Sequence, residues 1–194
     1  MSPFEYAMVL ISIIIGLGIT HILSSLANAI HPLRGDGPPV HLEIAYLSWV
    51  GFVFVWLVTF WWFEFKWSDL APEFGFGLYS FLVLYAVSLF SLTVILVPRR
   101  LWVVGDSWEY FLSIRTWFYG GLLLVNAIDL ADSFMKGVEW GSRWTGLTYW
   151  VAVTAAGVIG LTTTRRGVHM GLGITLLLWN IALTFYEQAV LGEW

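Results

Sequence analysis

Cysteine is absent from the 194 residues, and charged side chains make up only 11% of them. Without cysteine the chain has no disulfide bond, no thiolate nucleophile and no cysteine-ligated iron–sulfur cluster. Basic residues are the scarcer charges: 9 Lys and Arg stand against 13 Asp and Glu, which gives a net charge of −4. Because nucleic-acid-binding surfaces are basic, we expect no nucleic acid partner.

Common enzyme signatures are missing as well. The sequence has no Gly-x-Ser-x-Gly, no His-Glu-x-x-His and no phosphate-binding P-loop. We therefore assign no catalytic residue and favour a non-enzymatic function. No Lys or Arg precedes Arg34, so a cleaved signal peptide, which begins with a positively charged stretch, is not expected.

Apolar residues are what the chain has in abundance. Hydrophobic residues make up 59% of the sequence, well above the roughly 45–50% of soluble domains. They fall into six runs, each near the about 20 residues that a membrane-spanning helix needs. The sequence predicts an all-α fold, a single transmembrane domain over residues 1–194, embedded in the lipid bilayer as a bundle of about six helices. We place the spans at about 5–30, 43–63, 75–97, 110–131, 147–164 and 168–191.

Arginine distribution predicts how the chain is oriented. Cytoplasmic loops carry an excess of Lys and Arg. The loops after spans one, three and five carry most of the positive charges, whereas the opposite side has three. The termini are therefore predicted to lie outside the cytoplasm. The positive charges on the predicted cytoplasmic side are Arg34, Arg99, Arg100, Arg115, Arg165 and Arg166, and those on the opposite side are Lys66, Lys136 and Arg143.

Acidic and amide side chains gather on the opposite, outer side. Asn126, Asp129 and Asp132 share one face of span four, because they are three residues apart. If such faces converge, they form an acidic vestibule that attracts cations; alternatively the acids only mark solvated helix ends. The deeper Asn126 is predicted to pair with an amide of span six. The acidic and polar residues that other spans place on the same outer side are Asn180, Thr184, Glu187, Glu5 and Glu64.

Histidine provides the other candidate chemistry. His21 lies sixteen residues after Glu5, about 24 Å along a helix, and so inside the membrane. A buried imidazole can ligate a metal or haem, relay a proton or make a helix contact. A site made of His21, His41 and Glu43 is conceivable but lacks a specific spacing. The remaining histidines, His31 and His169, are predicted near span ends.

The arginines have simpler expected roles. Arg99, Arg100, Arg165 and Arg166 follow span ends, where they can contact lipid phosphates. Arg115 lies a turn inside span four and can extend its long side chain to the headgroups. Alternatively it pairs with Glu43, an anionic lipid or an anionic substrate.

Small residues predict helix packing. Ala152, Ala156 and Gly160 repeat every fourth residue in span five, and span one has a similar ridge that includes Gly16 and Thr20. Such ridges allow helix backbones to approach closely. A small bundle encloses little interior of its own, so we expect a homo-oligomer or a larger membrane complex.

Several short motifs resemble those of an uncharacterised group of small bacterial integral membrane proteins. They are Gly18-Ile19-Thr20-His21-Ile22-Leu23, His41-Leu42 through Trp49 to Phe60-Trp61-Trp62, Arg115-Thr116-Trp117-Phe118 and Ile128-Asp129-Leu130-Ala131-Asp132. The resemblance implies a six-helix protein of the bacterial inner membrane and implies no activity.

Three functions remain open from the sequence. The first is a small cation channel or transporter subunit, with His21, Asn126, Asp129, Asn180 and Glu187 along the ion pathway. The second is a redox protein that binds haem, a metal or a quinone through His21 and His41. The third is a non-catalytic membrane scaffold or accessory subunit. We expect no cofactor in the first and third cases.

Overall fold

The computed structural model describes residues 3–29, 41–70 and 74–187. Over these ranges the chain is helical and contains no β-strand, and six of its helices are long and apolar enough to cross a membrane. The predicted all-α, six-span fold is therefore confirmed. His31 and the turn-rich loop 33–39 lie outside the described residues.

The helices follow the predicted spans closely, with the largest difference in span four. The six long helices are α1 (Pro3–Asn28), α2 (Ile44–Glu64), α4 (Phe76–Leu96), α5 (Ser107–Met135), α7 (Trp144–Thr162) and α8 (Arg166–Glu187). The short helices α3 (Trp67–Leu70) and α6 (Val138–Gly141) and a 3-10 turn (Leu101–Val103) lie in the connections. Helix α5 thus starts before and ends after the predicted span at 110–131.

Local sequence explains the limits of α5. The Asp106 carboxylate accepts hydrogen bonds from the backbone N–H of Trp108 at 2.7 Å and of Glu109 at 3.2 Å, which caps the first turn. At the other end Gly137 has a φ of 132°, a conformation that residues with a Cβ rarely adopt. The chain therefore turns sharply after α5 and enters α6 directly.

The six long helices pack as a closed ring in which α2 lies towards the centre. Neighbours follow one another as α1, α4, α5, α7, α8 and α2, and α2 returns to α1 while also touching α4 and α5. Helix α2 is the most enclosed, with 56% of its most apolar stretch buried, against 22% for α8. The side chains of α2 therefore face nearly every other span.

Alternating helix directions give the bundle two distinct ends. We call the end with Glu64, Asp129, Asp132 and Lys136 the acid end. The opposite end, with Arg99, Arg100, Arg115, Arg165 and Arg166, is the arginine end.

Aromatic side chains fill the arginine half of the bundle. Trp49, Phe111, Phe118 and Tyr119 are fully buried. The Trp49 ring meets Phe118 and Tyr119 edge-on, with ring centroids 5.3 Å apart in both pairs, a favoured aromatic geometry. Buried aromatic rings therefore pack against one another in this half of the interior.

Candidate functional site

A buried ion-pair cluster joins α2 to the end of α5. The Lys136 ammonium lies 3.0 Å from Glu64 Oε1 and 2.5 Å from Asp132 Oδ2, and these three side chains are at most 2% exposed. The Trp67 indole N–H donates to Asp132 Oδ1 at 3.0 Å. Both oxygens of Asp132 are therefore occupied, whereas Glu64 uses only Oε1.

Lys136 stays charged in this setting. Burial by itself lowers the pKa of its ammonium, but the carboxylates of Glu64 and Asp132 outweigh burial and raise the pKa above its ordinary value. The lysine that the sequence places in an outer loop is thus a structural cation inside the protein.

Asp129 lies about one helical turn deeper than this cluster. Its Oδ1 accepts the Tyr85 hydroxyl at 2.5 Å, and its Oδ2 accepts the Trp150 indole N–H at 2.6 Å. The Tyr85 hydroxyl in turn accepts the indole N–H of Trp56 at 3.3 Å. One carboxylate thereby connects α2, α4, α5 and α7, and both of its oxygens already have donors.

The two predicted amides do not pair with each other. Asn126 Nδ2 donates to Thr154 Oγ1 at 3.0 Å and to the Trp150 carbonyl at 3.3 Å. Asn180 Nδ2 donates to the Tyr149 hydroxyl at 2.9 Å. In the ring α7 lies between α5 and α8, so each amide bonds to α7 instead. The Asn126–Asn180 hydrogen bond that we predicted is therefore replaced by two separate contacts.

The acids and aromatic residues enclose a cavity in the acid half of the bundle. Its volume is about 80 Å³, and it is partly open to the surroundings. Its charged residues are Glu64, Asp129, Asp132, Lys136 and Arg143. Its other lining residues include Trp56, Thr59, Phe60, Phe63, Tyr85, Ser133, Trp140, Tyr149, Trp150, Asn180, Leu183 and Thr184.

Two acceptor atoms in this cavity are buried without a donor. Glu64 Oε2 and Asn180 Oδ1 have no hydrogen-bond partner among the described residues, although Glu64 is 2% and Asn180 7% exposed. A buried carboxylate oxygen or amide oxygen without a donor is costly. Two residues of the cavity wall therefore each hold a buried acceptor atom that has no donor in the described part of the chain.

Other predicted pathway residues lie elsewhere. Asn126 is buried near the cavity but does not line it, and its Oδ1 also has no donor in the described part of the chain. Glu5 is exposed and lines a different groove, between α1 and α2. Glu187 ends α8, and its side chain lies outside the described residues.

The histidine candidates are dispersed. His21 Nε2 lies 2.7 Å from the Val97 carbonyl oxygen, and His41 is exposed, with its backbone N–H donating to the Gly105 carbonyl. The Glu43 carboxylate pairs with Arg166. Within residues 3–29, 41–70 and 74–187, no group of three or more His, Asp or Glu could hold a metal ion. The residues proposed for a metal or haem are thus not gathered by the fold.

His169 lies in the first turn of α8, at the end of the span as predicted, and it is buried among other side chains. It is 0% exposed; its Nδ1 lies 2.6 Å from the Tyr119 hydroxyl, and its Nε2 lies 3.0 Å from the Thr163 carbonyl oxygen. The same carbonyl accepts the Arg115 guanidinium at 2.7 Å. The short α7–α8 connection draws His169 inward, and Arg115 contacts backbone rather than Glu43.

The remaining arginines lie at the surface. Arg99, Arg100, Arg165 and Arg166 are exposed, and Arg166 pairs with Glu43, as noted. At these exposed positions the predicted contacts with lipid phosphates are sterically possible and stay a prediction.

Sequence reasoning missed the residues that complete the cavity. The sequence assigns no role to Tyr85 and Tyr149, and Lys136 counts there only as a topology signal. One sequence signal was available: Lys136 follows Asp132 by four residues, the spacing of a helical ion pair. The separation of Glu64 from Lys136 by 72 residues is invisible to any local pattern.

Comparison with known proteins assigns neither a family nor a function to the chain. No family model, no curated protein and no solved structure matches the chain, so the resemblance noted from the sequence stays a prediction.

Proposed function

We propose that the protein binds a monovalent cation in the acid-end cavity and is a small cation transporter subunit. The observation that carries this proposal is the pair of buried acceptors, Glu64 Oε2 and Asn180 Oδ1, for which the described residues offer no donor. Polar and ionisable groups inside a membrane protein are costly and often mark ion or substrate pathways.

The charge of the cavity supports the same conclusion. Three carboxylates, from Glu64, Asp129 and Asp132, face two cationic side chains, Lys136 and Arg143. A buried charge without a counter-charge is strongly unfavourable. When all three carboxyl groups are ionised, one additional positive charge, from a monovalent cation or a proton, would balance the site, whereas a divalent cation would exceed this balance.

Packing of the arginine half favours a carrier over an open channel. Trp49, Phe118 and Tyr119 fill the interior between the cavity and the arginine end. A cation bound in the cavity would need a rearrangement of helices to pass this aromatic cluster, as in alternating-access transporters. His21 lies towards the arginine end, and we keep for it the role of proton relay on the ion pathway that the sequence suggested.

The proposed setting is the bacterial inner membrane, with the arginine end in the cytoplasm. Lys136 is neutralised by carboxylates inside the bundle, so the acid end displays fewer free positive charges than the sequence count gives, and this supports the orientation. We also propose a homo-oligomer through α1, because a Cβ at Gly16 would meet nothing within 4 Å among the described residues. Gly157, by contrast, packs against Leu123 within the bundle.

The test is charge movement in proteoliposomes. Protein reconstituted on a solid-supported membrane is challenged with K⁺, methylammonium and phenethylammonium at constant ionic strength. We expect a transient current with at least one of these cations, and its loss in Asp129→Asn. Asp69→Asn, an exposed acid in α3 that does not line the cavity, is the matched control and should keep the current. Currents equal to those of protein-free liposomes for all three cations would contradict the proposal.

A further inference from the structure

We infer that Glu64 is the proton-binding residue of the proposed transporter and carries a proton on Oε2 when no cation occupies the cavity. This inference rests on the proposed function and adds a coupling to it: a cation that enters the cavity releases the proton, so the two compete. It follows from the hydrogen bonds of the cavity acids, the charge of the cluster around Lys136 and the enclosure of Oε2.

Hydrogen bonding singles out one carboxylate oxygen of the cavity wall. Asp129 and Asp132 each accept a donor at both oxygens, and Lys136 donates to Glu64 Oε1. A proton on any of these five oxygens would disturb an existing hydrogen bond. Glu64 Oε2 has no donor in the described part of the chain. Protonation is therefore least costly at this oxygen.

The charge of the cluster favours a proton on the same residue. Lys136 provides one positive charge for the two carboxylates of Glu64 and Asp132, and all three side chains are at most 2% exposed. One negative charge is left over, and a buried charge without a counter-charge is costly. A proton on Glu64 removes it and leaves Lys136 and Asp132 as a neutral pair. Lys136 keeps its hydrogen bond in both states, because the carbonyl oxygen of a protonated carboxyl still accepts.

The enclosure of Oε2 suits a proton better than any larger ligand. Oε2 has almost no accessible surface, so a water molecule or a metal ion would contact it only after neighbouring side chains moved. A proton adds no volume and needs no such movement to be held. Glu64 lines the cavity, which is partly open to the surroundings. The cavity is therefore the path by which the proton leaves.

The other titratable groups of the cavity leave this role to Glu64. The Tyr85 hydroxyl donates to Asp129, and the Arg143 guanidinium lies 4.4 Å from the centre of the Trp140 ring. The α8 residues that line the cavity carry no charge. The titratable groups that face the cavity are Glu64 from α2, Tyr85 from α4, Asp129, Asp132 and Lys136 from the end of α5, Arg143 from the connection before α7, and Tyr149 from α7.

The coupled step is a proton transfer from Glu64 to water. The O–H bond breaks, its electron pair stays on Oε2, and the proton leaves through the cavity as the cation enters. The cation then replaces the proton as the balancing charge, so the net charge of the cavity is the same before and after. At a pH where Glu64 is already ionised, the cation enters alone and carries one charge into the protein. The transient current should therefore grow as pH rises.

The experiment is infrared difference spectroscopy of the purified full-length protein in detergent, titrated from about pH 9 to about pH 6. It detects the C=O stretch of protonated carboxyl groups, and exposed Asp and Glu stay ionised in this range because their ordinary pKa values lie near 4. We expect a carboxyl band that grows as pH falls, is absent from Glu64→Gln and is unchanged in the exposed control Asp69→Asn. At the midpoint of this titration, K⁺, methylammonium or phenethylammonium should shrink the band.

Asp132→Asn provides a second variant should Glu64→Gln fail to fold. It removes the left-over negative charge and keeps Glu64 beside Lys136. The proton affinity of Glu64 should therefore fall about tenfold or more, which moves the titration of the band to lower pH. An unchanged titration in a folded Asp132→Asn protein would overturn the inference.

The outcomes separate the proton site from the transporter itself. A current in proteoliposomes without a titrating band, or with a band that survives in Glu64→Gln, would overturn the inference and leave the cation transporter standing. The inference would also be overturned if the cation that produces the current left the band unchanged. Absence of a current for all three cations would overturn the proposed function, and the coupling with it.

Discussion

Replacing Lys136 with methionine should destabilise the protein by about 3–5 kcal/mol, the usual effect of removing one partner from a buried salt bridge. Methionine keeps the length of the side chain but removes the charge. Glu64 Oε1 and Asp132 Oδ2 then lose their donor while both side chains remain at most 2% exposed. Because water has so little access to these side chains, solvent does not screen their attraction as it does in surface ion pairs.

The measurement is reversible SDS-induced unfolding in mixed micelles, followed by circular dichroism. Arg99→Met is the control: it removes an exposed positive charge at the arginine end, and a charge at an exposed site contributes at most about 1 kcal/mol. The triple variant Lys136→Met, Glu64→Gln, Asp132→Asn removes all three charges and should recover most of the loss. A Lys136→Met variant within about 1 kcal/mol of the wild type would refute the buried-cluster argument.

The same cluster predicts a pH dependence with a definite sign. The pKa of Lys136 is raised above its ordinary value of 10.5 because the attraction of the two carboxylates exceeds the effect of burial. For a base with a raised pKa, the stabilisation is complete below the unfolded-state pKa and is lost as pH rises through the folded-state value. The stability difference between wild type and Lys136→Met should therefore shrink only above about pH 10.5. A difference that becomes smaller between pH 7 and pH 9 would contradict the raised pKa of Lys136.

Two further predictions concern packing and hydrogen bonding. Gly157→Leu should destabilise the α5–α7 contact by several kcal/mol, since a Cβ there would lie 2.6 Å from Leu123, whereas Gly77→Leu, where a Cβ meets nothing within 4 Å, should be tolerated. Equal SDS stability of the two variants would refute this packing. His169→Phe should cost about 1–3 kcal/mol because it leaves the buried Tyr119 hydroxyl without its partner at 2.6 Å. The double variant with Tyr119→Phe should lose less than the sum of the two single variants, and strict additivity would contradict the coupling.

The sequence predicted the helices well because membrane spans follow from composition and length alone. It also predicted that Asp129 and Asn180 belong to the same end of the bundle, and both line the cavity. The sequence could not predict that α7 lies between α5 and α8, the helices that carry these two residues. The order of helices around a bundle depends on side-chain packing rather than on local periodicity.

Burial was the main feature that the sequence did not predict. Glu64 and Lys136 follow the expected pattern of charges at span ends, where charge is inexpensive. In the structure α5 runs beyond its predicted end to Met135, and Trp67 of α3 donates to the partner carboxylate of this pair. These long-range contacts turn two apparent surface charges into a buried pair.

The central claim, that the acid-end cavity binds a cation, is tested most directly by filling the cavity without changing its charges. Thr184 of α8 lines the cavity, and Thr175 of the same helix is exposed and does not line it. We would measure the transient current that K⁺, methylammonium and phenethylammonium produce in proteoliposomes containing Thr184→Trp or its matched control Thr175→Trp, with folding checked by circular dichroism. The account predicts that the current is lost in Thr184→Trp and retained in Thr175→Trp. A current of wild-type size in a folded Thr184→Trp variant would contradict it.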